Sequence, residues 1–172
     1  TWGGVVHDGH PLDGAEVSLG VDDEILVSGP MVMTGYRRDP TGTRAAFTSD
    51  QRLRTGDVGV IDSHGSVSVI DRIRDLIVTG GVNVSPSEVE RVLATHPEVS
   101  DICVAGIPDA EWGELVVAFV VPTNPRQPPS LADLRSHALE RLSAAKAPRR
   151  VVHVDAIPRT SGGKPLRRLL KH

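Results

Sequence analysis

The sequence predicts an α+β chain: a small β-rich, barrel-like part over residues 1–73, then a compact C-terminal α+β lid domain over residues 74–172. Two observations predict this. Up to residue 70, short alternating apolar runs are separated by Gly, Pro and Asp turns, the pattern of several short strands. Beyond it, strand-like runs are interleaved with two stretches whose apolar residues recur at i, i+3 and i+4, the spacing of one helix face. The 172 residues are enough for one sizeable domain or two small ones, since single domains cluster near ~100–150 residues.

In the first part, Val5-Val6 and Ala15–Leu19 are read as strands separated by the turn-forming Asp8-Gly9-His10-Pro11. Glu24–Ser28 alternates and stops at Gly29-Pro30. Val58–Asp62 and Ser66–Ile70 flank His64-Gly65, which reads as a hairpin turn. In the second part, Asp75–Val78 is a strand ending in Gly80-Gly81. Ser85 is placed as an N-cap, Pro86 at the first helical position, and Glu88 where a capping box needs an acid. Val89, Val92 and Leu93 then share a face, and the helix stops near His96-Pro97. Val99–Ile107 and Leu115–Val121 are strands, Asn124–Pro129 a Pro-rich linker, Leu131–Leu142 an amphipathic helix, and Val151–Val154 a last strand.

Composition narrows the function classes. Hydrophobic residues make up 39% and aromatics 3%, so the core must rest on Val, Ile, Leu and Ala. The net charge of -3 and the absence of a Lys/Arg stripe argue against nucleic acid, although Arg149 to Lys171 is locally basic. No apolar run approaches the ~20 residues of a membrane span, and no signal peptide is visible. Cys103, the single cysteine, cannot pair internally and lies in an apolar run, which favours a buried small hydrophobe and a reducing, cytoplasmic compartment. His7 and His10 form an i, i+3 pair without further ligands, so no metal site is expected. A chain starting at Thr1 is expected to be part of something longer.

Chemistry concentrates in three motifs. Leu53-Arg54-Thr55-Gly56-Asp57 reads as a Gly-Asp turn at a strand start; it is either structural or holds a carboxylate that can accept charge-assisted bonds from vicinal ribose hydroxyls. Asp71–Glu90 joins segments of different period, so its charged start is a solvated linker or a hinge, and Gly80-Gly81 admits backbone close to a ligand. Pro158–Lys164 presents one ammonium on a flexible Gly loop. It is not a phosphate-cradling Walker loop, because Pro165 follows the lysine. Its bland reading is surface decoration; its functional one is a mobile cation that offsets charge growing in a transition state.

In this order the three motifs resemble the adenylate-forming superfamily of acyl-CoA synthetases, luciferases and peptide-synthetase adenylation domains. Gly29–Tyr36 and Ala105–Glu114 resemble further family segments, so nearly the whole chain is covered. The resemblance implies an ATP-dependent carboxylic acid–CoA ligase that uses ATP, Mg2+ and coenzyme A, with this chain as its C-terminal part. Asp57 would bind the ATP ribose and Arg72 the ribose or phosphate side. Arg74 would occupy the hinge, where Asp or Lys is more usual. Lys164 would contact the carboxylate and α-phosphate, Gly80 and Gly81 would edge the pantetheine path, and Trp112 would stack on the CoA adenine or be a structural rim residue. Asp71 stands where many members have Gly, and Gly162 where Ser is usual.

The family's phosphate loop and acyl pocket are not in this chain, and Mg2+ would be bound mainly by that missing N-terminal domain or its cleaved fragment, the implied partner. Thr1–Gly4 would follow the family's Tyr-Gly-x-Thr-Glu type motif. Gly3–Gly14 faintly resembles the o-succinylbenzoate–CoA ligases, without separating them from ligases of fatty or aryl acids. The alternatives are an adenylation domain that loads a carrier protein, and a non-catalytic lid that binds nucleotide or a partner. A homodimer is left open.

Overall fold

A computed structural model describes residues 6–170; Val5, the Thr1–Gly4 segment and Lys171 of the basic tail therefore lie outside the described residues. The chain forms two compact units, Thr1–Arg74 and Asp75–His172. Its mixed α+β content and curled half-barrel sheet have the predicted class.

The first unit begins with a miniature hairpin, β1 (Val6–His7) against β2 (His10–Pro11). The sequence reading placed a turn through Pro11. Instead Asp8 and Gly9 both take positive φ (49° and 83°), as a two-residue primed turn requires, and His10 and Pro11 return to pair with β1. Next, β3 (Glu16–Leu19), β4 (Glu24–Ser28), β5 (Leu53–Ile61) and β6 (Val67–Arg72) form an antiparallel sheet in chain order. Ile25, Val27 and Val67 are its buried centre, with Val17, Leu19, Val32 and Ile61 packed around them. The 62–66 turn is where it was expected; the Asp62 carboxylate accepts from the His64 and Ser66 N–H groups at 2.8 and 2.9 Å.

One helix in this unit was not foreseen: α1 (Pro40–Ala46), between β4 and β5. Its apolar content is too low for a periodic stripe. The start signal is nevertheless in the sequence, because Asp39 caps the Gly42 N–H at 2.7 Å and Pro40 occupies the first turn.

The second unit contains β7 (Ile77–Thr79), β8 (Val82–Val84), α2 (Pro86–Leu93), β9 (Val99–Asp109), β10 (Gly113–Pro122), α3 (Leu131–Leu139) and β11 (Arg150–His153). β9 and β10 pair antiparallel along their whole length, from Asp109↔Gly113 to Val99↔Pro122. β11 lies parallel to β10, while β7 meets it at Gly113 and carries β8 outside. Along the central hairpin, alternate residues face two apolar layers. Ile102, Val104, Val116, Ala118 and Val120 pack with Val89 and Leu93 of α2 and Leu134 and Ala138 of α3. Cys103, Ala105, Val117 and Phe119 pack with Ile157 on the other side. Burial on both faces explains why these strands read as unbroken apolar runs.

Several boundaries and one cap differ from the sequence reading. β7 starts two residues later than expected because Ile73–Asp75 form a 3-10 turn. β8 has no counterpart in the sequence reading, which ends a strand at Gly80-Gly81; that pair is the turn of a tight hairpin with Thr79↔Val82 as its last pair. Ser85 does cap α2, accepting from the Glu88 N–H at 3.1 Å, but the Glu88 carboxylate is held by Lys146 Nζ at 2.6 and 2.9 Å. α3 ends at Leu139, where the chain tightens so that the N–H groups of Arg141 and Leu142 both reach the Ala138 carbonyl; Leu142 still packs on the core. The reciprocal capping box occurs on α3 instead, between Ser130 and Asp133.

Leu134 is fully buried between helix and sheet. Leu134→Ala is therefore expected to lower stability by about 2–5 kcal/mol through lost transfer energy and the cavity left behind, read as a drop in the chemical-denaturation midpoint; an unchanged midpoint would contradict the assigned core.

Candidate functional site

The first unit brings Asp57 and Arg72 together. They are cross-strand partners on β5 and β6, and Arg72 Nε lies 2.5 Å from Asp57 Oδ1. The Asp57 side chain is 5% exposed and that of Arg72 54%, so a nearly buried carboxylate is neutralised by a guanidinium whose outer edge remains in water. Asp57 was expected on a turn before a strand. It lies instead within β5, on a bulge: the β4–β5 register passes from Leu26↔Arg54 to Glu24↔Val58, and Gly56 takes φ +70°. A bulge re-aims one side chain without ending the strand, which an isolated Gly-Asp pair in sequence does not reveal.

Sequence reasoning missed the group that holds this bulge. Glu24 is buried, and its carboxylate accepts from the Gly56 N–H at 3.2 Å and from Arg54 Nη1 at 2.8 Å. Thr55 completes the brace, its hydroxyl donating to the Ile25 carbonyl at 2.7 Å and accepting from the Asp57 N–H at 3.1 Å. The only hint in the sequence was an acid opening an otherwise apolar strand. Asp57 and Arg72 border a cleft of about 390 Å³ lined also by Val27, Met31, Tyr36 and Arg54. Its size and mixed lining suit part of a small-molecule site. Arg74 is exposed on the Ile73–Asp75 turn, the last residue of the first unit.

In the second unit Gly80, Gly81 and Trp112 converge. Gly80 (φ +56°) and Gly81 (φ +78°) form the β7–β8 turn, and the Gly80 N–H donates to the Trp112 carbonyl at 2.9 Å. A Cβ on Gly80 would stand 3.0 Å from the indole, so both the left-handed backbone and the close approach call for glycine. Asp109 fixes Trp112 from the other side, its carboxylate accepting from the Glu111 and Trp112 N–H groups at 3.0 Å each. The Arg149 guanidinium lies over the indole, 3.6 Å from the ring centroid. Trp112 is thus a half-buried platform that already stacks on a cation, an arrangement between the two sequence readings.

Lys164 is exposed and sits on a tight hairpin, not on a loose loop. The Thr160 N–H donates to the Lys164 carbonyl at 2.9 Å, the Lys164 N–H to the Thr160 hydroxyl at 3.1 Å, and Arg159 bridges to Pro165. Arg159 ties this hairpin to Asp101 near the start of β9, with Nη2 2.7 and 3.0 Å from the two carboxylate oxygens. Gly80, Gly81 and Trp112 surround the other end, where Asp109 pairs with Gly113. The eight-residue step from Asp101 to Asp109 separates the two elements by roughly 25 Å at the rise of an extended strand. Among the described residues no cluster of three or more His, Cys, Asp or Glu could hold a metal ion. His10 instead sets a ring nitrogen 3.1 Å from the Asp8 carbonyl. No helix among them is long and apolar enough to cross a membrane.

Residues 88–164 match the family described as the AMP-binding enzyme C-terminal domain. A medium/long-chain-fatty-acid–CoA ligase of Mycobacterium tuberculosis is 44% identical over 158 residues, covering 88% of this chain and 28% of that protein. A fatty acid–[acyl-carrier-protein] ligase of Streptomyces coeruleorubidus is 40% identical over 92% of this chain and 30% of its own length. The crystal structure of the o-succinylbenzoate CoA synthetase of Bacillus subtilis, in complex with its acyl-adenylate intermediate, superposes with a TM-score of 0.77 at 36% identity, over 94% of this chain and 34% of that one. Residues 88–164 thus resemble the AMP-binding enzyme C-terminal domain, and nearly the whole chain is similar to the C-terminal portion of adenylate-forming ligases. The chain spans about a third of the length of the relatives it matches.

Cys103 is fully buried on β9. Burial, with the nearby Glu90 carboxylate as a lesser cause, pushes its thiol up to about 12 from the ordinary 9.0. A raised acid pKa stabilises the fold below the unfolded value and loses that contribution as pH climbs toward the folded one. Stability is therefore expected to fall between about pH 9 and 12, and Cys103→Ser should flatten that limb of the pH–stability curve. Alkylation of the native chain at pH 8 should be negligible until denaturant is added; rapid native labelling would contradict the burial.

Proposed function

We propose that the complete protein is an ATP-dependent, AMP-forming acid–CoA ligase, whose last β-rich piece and whole mobile domain are carried by this chain. In the first half-reaction a substrate carboxylate oxygen bonds to the α-phosphorus of ATP and the bond to pyrophosphate breaks, leaving an acyl-adenylate. In the second, the thiol sulfur of coenzyme A bonds to the acyl carbon, AMP leaves and the thiol proton is released. Mg2+ accompanies the ATP, held mainly by residues outside this chain. The rest of the polypeptide is the necessary partner, without which this part is inactive, and a cytoplasmic setting and a homodimer belong to the same reading.

Residue roles follow from charge and reach. Asp57 accepts from the ribose hydroxyls, its charge and direction fixed in advance by Arg72, whose exposed edge is left for the ribose or phosphate side. Lys164 brings its ammonium to the carboxylate and α-phosphate, where negative charge grows. Gly80 and Gly81 edge the path of the pantetheine arm, and Trp112 with Arg149 offers a stacking, cationic rim for the CoA nucleotide. Arg74 is the hinge.

The observation that carries this reading is the placement of the Lys164 hairpin and the Gly80-Gly81 turn at opposite ends of β9–β10. Two elements so far apart on one rigid sheet cannot serve one reaction centre in one orientation. They can serve it in succession if the domain turns, which is what a two-step ligation requires. The carrier-protein acceptor remains the second reading, favoured by the 40% identity to an acyl-carrier-protein ligase. Assays of the complete protein with a panel of carboxylic acids by pyrophosphate release, followed by coenzyme A or a carrier protein as acceptor, decide between them.

In the complete protein, Lys164→Ala is expected to lower adenylation by about 10²–10³-fold while thioester formation from supplied acyl-adenylate persists; equal loss in both half-reactions would refute the role. Arg74→Pro fixes φ in the hinge and should slow thioester formation more than adenylation. Unchanged thioester formation in that variant would remove Arg74 from the hinge.

A further inference from the structure

We propose that Arg159 and Asp101 are positioning residues for Lys164: together they fasten the 159–165 hairpin to the start of β9, so that the ammonium is delivered from a fixed base. The proposal rests on the reading of Lys164 given above and adds to it the device that makes a lysine on a Gly-Gly loop usable.

The geometry is specific. One guanidinium does two jobs: Nη2 grips both oxygens of Asp101 at 2.7 and 3.0 Å, and Nη1 donates to the Gly163 carbonyl at 2.9 Å, one residue before Lys164. Asp101 is itself steadied, its Oδ1 accepting from the Ile102 N–H at 2.8 Å, and Ile102 is anchored in the core. The path from sheet to lysine thus runs Ile102, Asp101, Arg159, Gly163. Beyond the lysine a second arginine closes the frame: Arg167 Nε donates to the Val104 carbonyl at 3.0 Å, and Nη2 pairs with Glu90 of α2 at 2.8 Å. Arg159 and Arg167 therefore hold both flanks of the hairpin to β9 or its neighbour, while Lys164 stays exposed between them.

Energetics separate positioning from mere support. Both side chains of the Arg159–Asp101 pair are 38% exposed, so water and salt screen it and it contributes little to folding. What it does supply is geometric. Gly162-Gly163 would otherwise sample a wide range of backbone angles, and a lysine displaced by an ångström meets the α-phosphate badly. The forked guanidinium can hold a carboxylate and a carbonyl at once, which a lysine at 159 cannot reproduce.

The test uses the complete protein and compares Arg159→Ala, Arg159→Lys, Asp101→Asn and the Arg159→Ala/Asp101→Asn double variant with Lys164→Ala. Arg159→Ala is expected to lower kcat for adenylation by about tenfold to a hundredfold. KM for ATP and acid should stay within about twofold, and thioester formation from supplied acyl-adenylate should be retained. Arg159→Lys should recover part of the loss, and the double variant should be no worse than Arg159→Ala, since the two groups act as a unit. Amide hydrogen exchange at Gly163 and Lys164 should accelerate by about tenfold or more in Arg159→Ala. Should Arg159→Ala fail to fold, Asp101→Asn carries the same readouts. Equal loss in both half-reactions would mean that the pair only supports the fold, and would overturn the proposal. Normal adenylation in the Arg159 and Asp101 variants beside a crippled Lys164→Ala would overturn it while leaving the role of Lys164 intact. Normal adenylation in Lys164→Ala would remove that role and the proposal with it.

Discussion

The long antiparallel pairing of β9 with β10, in one register from Gly113 to Val121, is the constraint on which the second unit depends. Nine residues of β10 are matched in one register, and alternate side chains enter two separate apolar layers, so a slip of one residue would exchange those layers completely. The hairpin is thereby a stiff bar. At each end an aspartate on β9 converts that stiffness into the placement of an element with a proposed role: Asp101 receives Arg159 of the lysine hairpin, and Asp109 receives the Trp112 N–H beside the Gly80 turn. The same strand sets both positions, and the separation between them is fixed by the number of residues that lie between the two acids.

The first unit solves a different problem, that of holding two carboxylates where little water reaches them; a buried acid costs free energy unless it is paired and hydrogen-bonded. Two cross-strand pairs counter this, Asp57 with Arg72 and Glu24 with Arg54, each joining a nearly buried acid to a guanidinium that remains partly solvated. The two guanidinium groups of Arg54 and Arg72 line the cleft beside Tyr36 and Met31. Glu24 additionally binds the Gly56 N–H, so the bulge that aims Asp57 is stabilised by an acid on the neighbouring strand.

Strand periodicity was legible where apolar runs are unbroken, and β4, β9 and β10 were placed to within about two residues; β5 was not, because the bulge at Gly56-Asp57 hides its first five residues. Short elements were not. β8 and α1 are too brief to show a period, and their existence depends on a Gly-Gly primed turn and an Asp-Pro cap respectively, local signals that also occur in loops. Of the candidate site, the motif residues were legible because their types are chemically unusual where they stand. Their partners were not: Glu24 lies over thirty residues from Gly56 and Asp101 nearly sixty from Arg159, separations only a fold can close. The lysine hairpin was misjudged as flexible for the same reason, since Gly-Gly in sequence says nothing of the arginine that spans it.

The two working elements of the second unit share a further property. Each is a short hairpin closed by its own backbone bonds, Thr79↔Val82 in one and Thr160 with Lys164 in the other, and each is tied to β9 or β10 by side chains or carbonyls. Neither has the length of free chain with which a lid loop opens and shuts. A lysine or a glycine edge so held can enter or leave a reaction centre only if the sheet that bears it moves too. The freedom that the proposed two-step chemistry demands must then reside outside the domain's own loops. The Arg74–Asp75 junction, on a single turn of 3-10 helix at the boundary between the two units, is the place proposed for it.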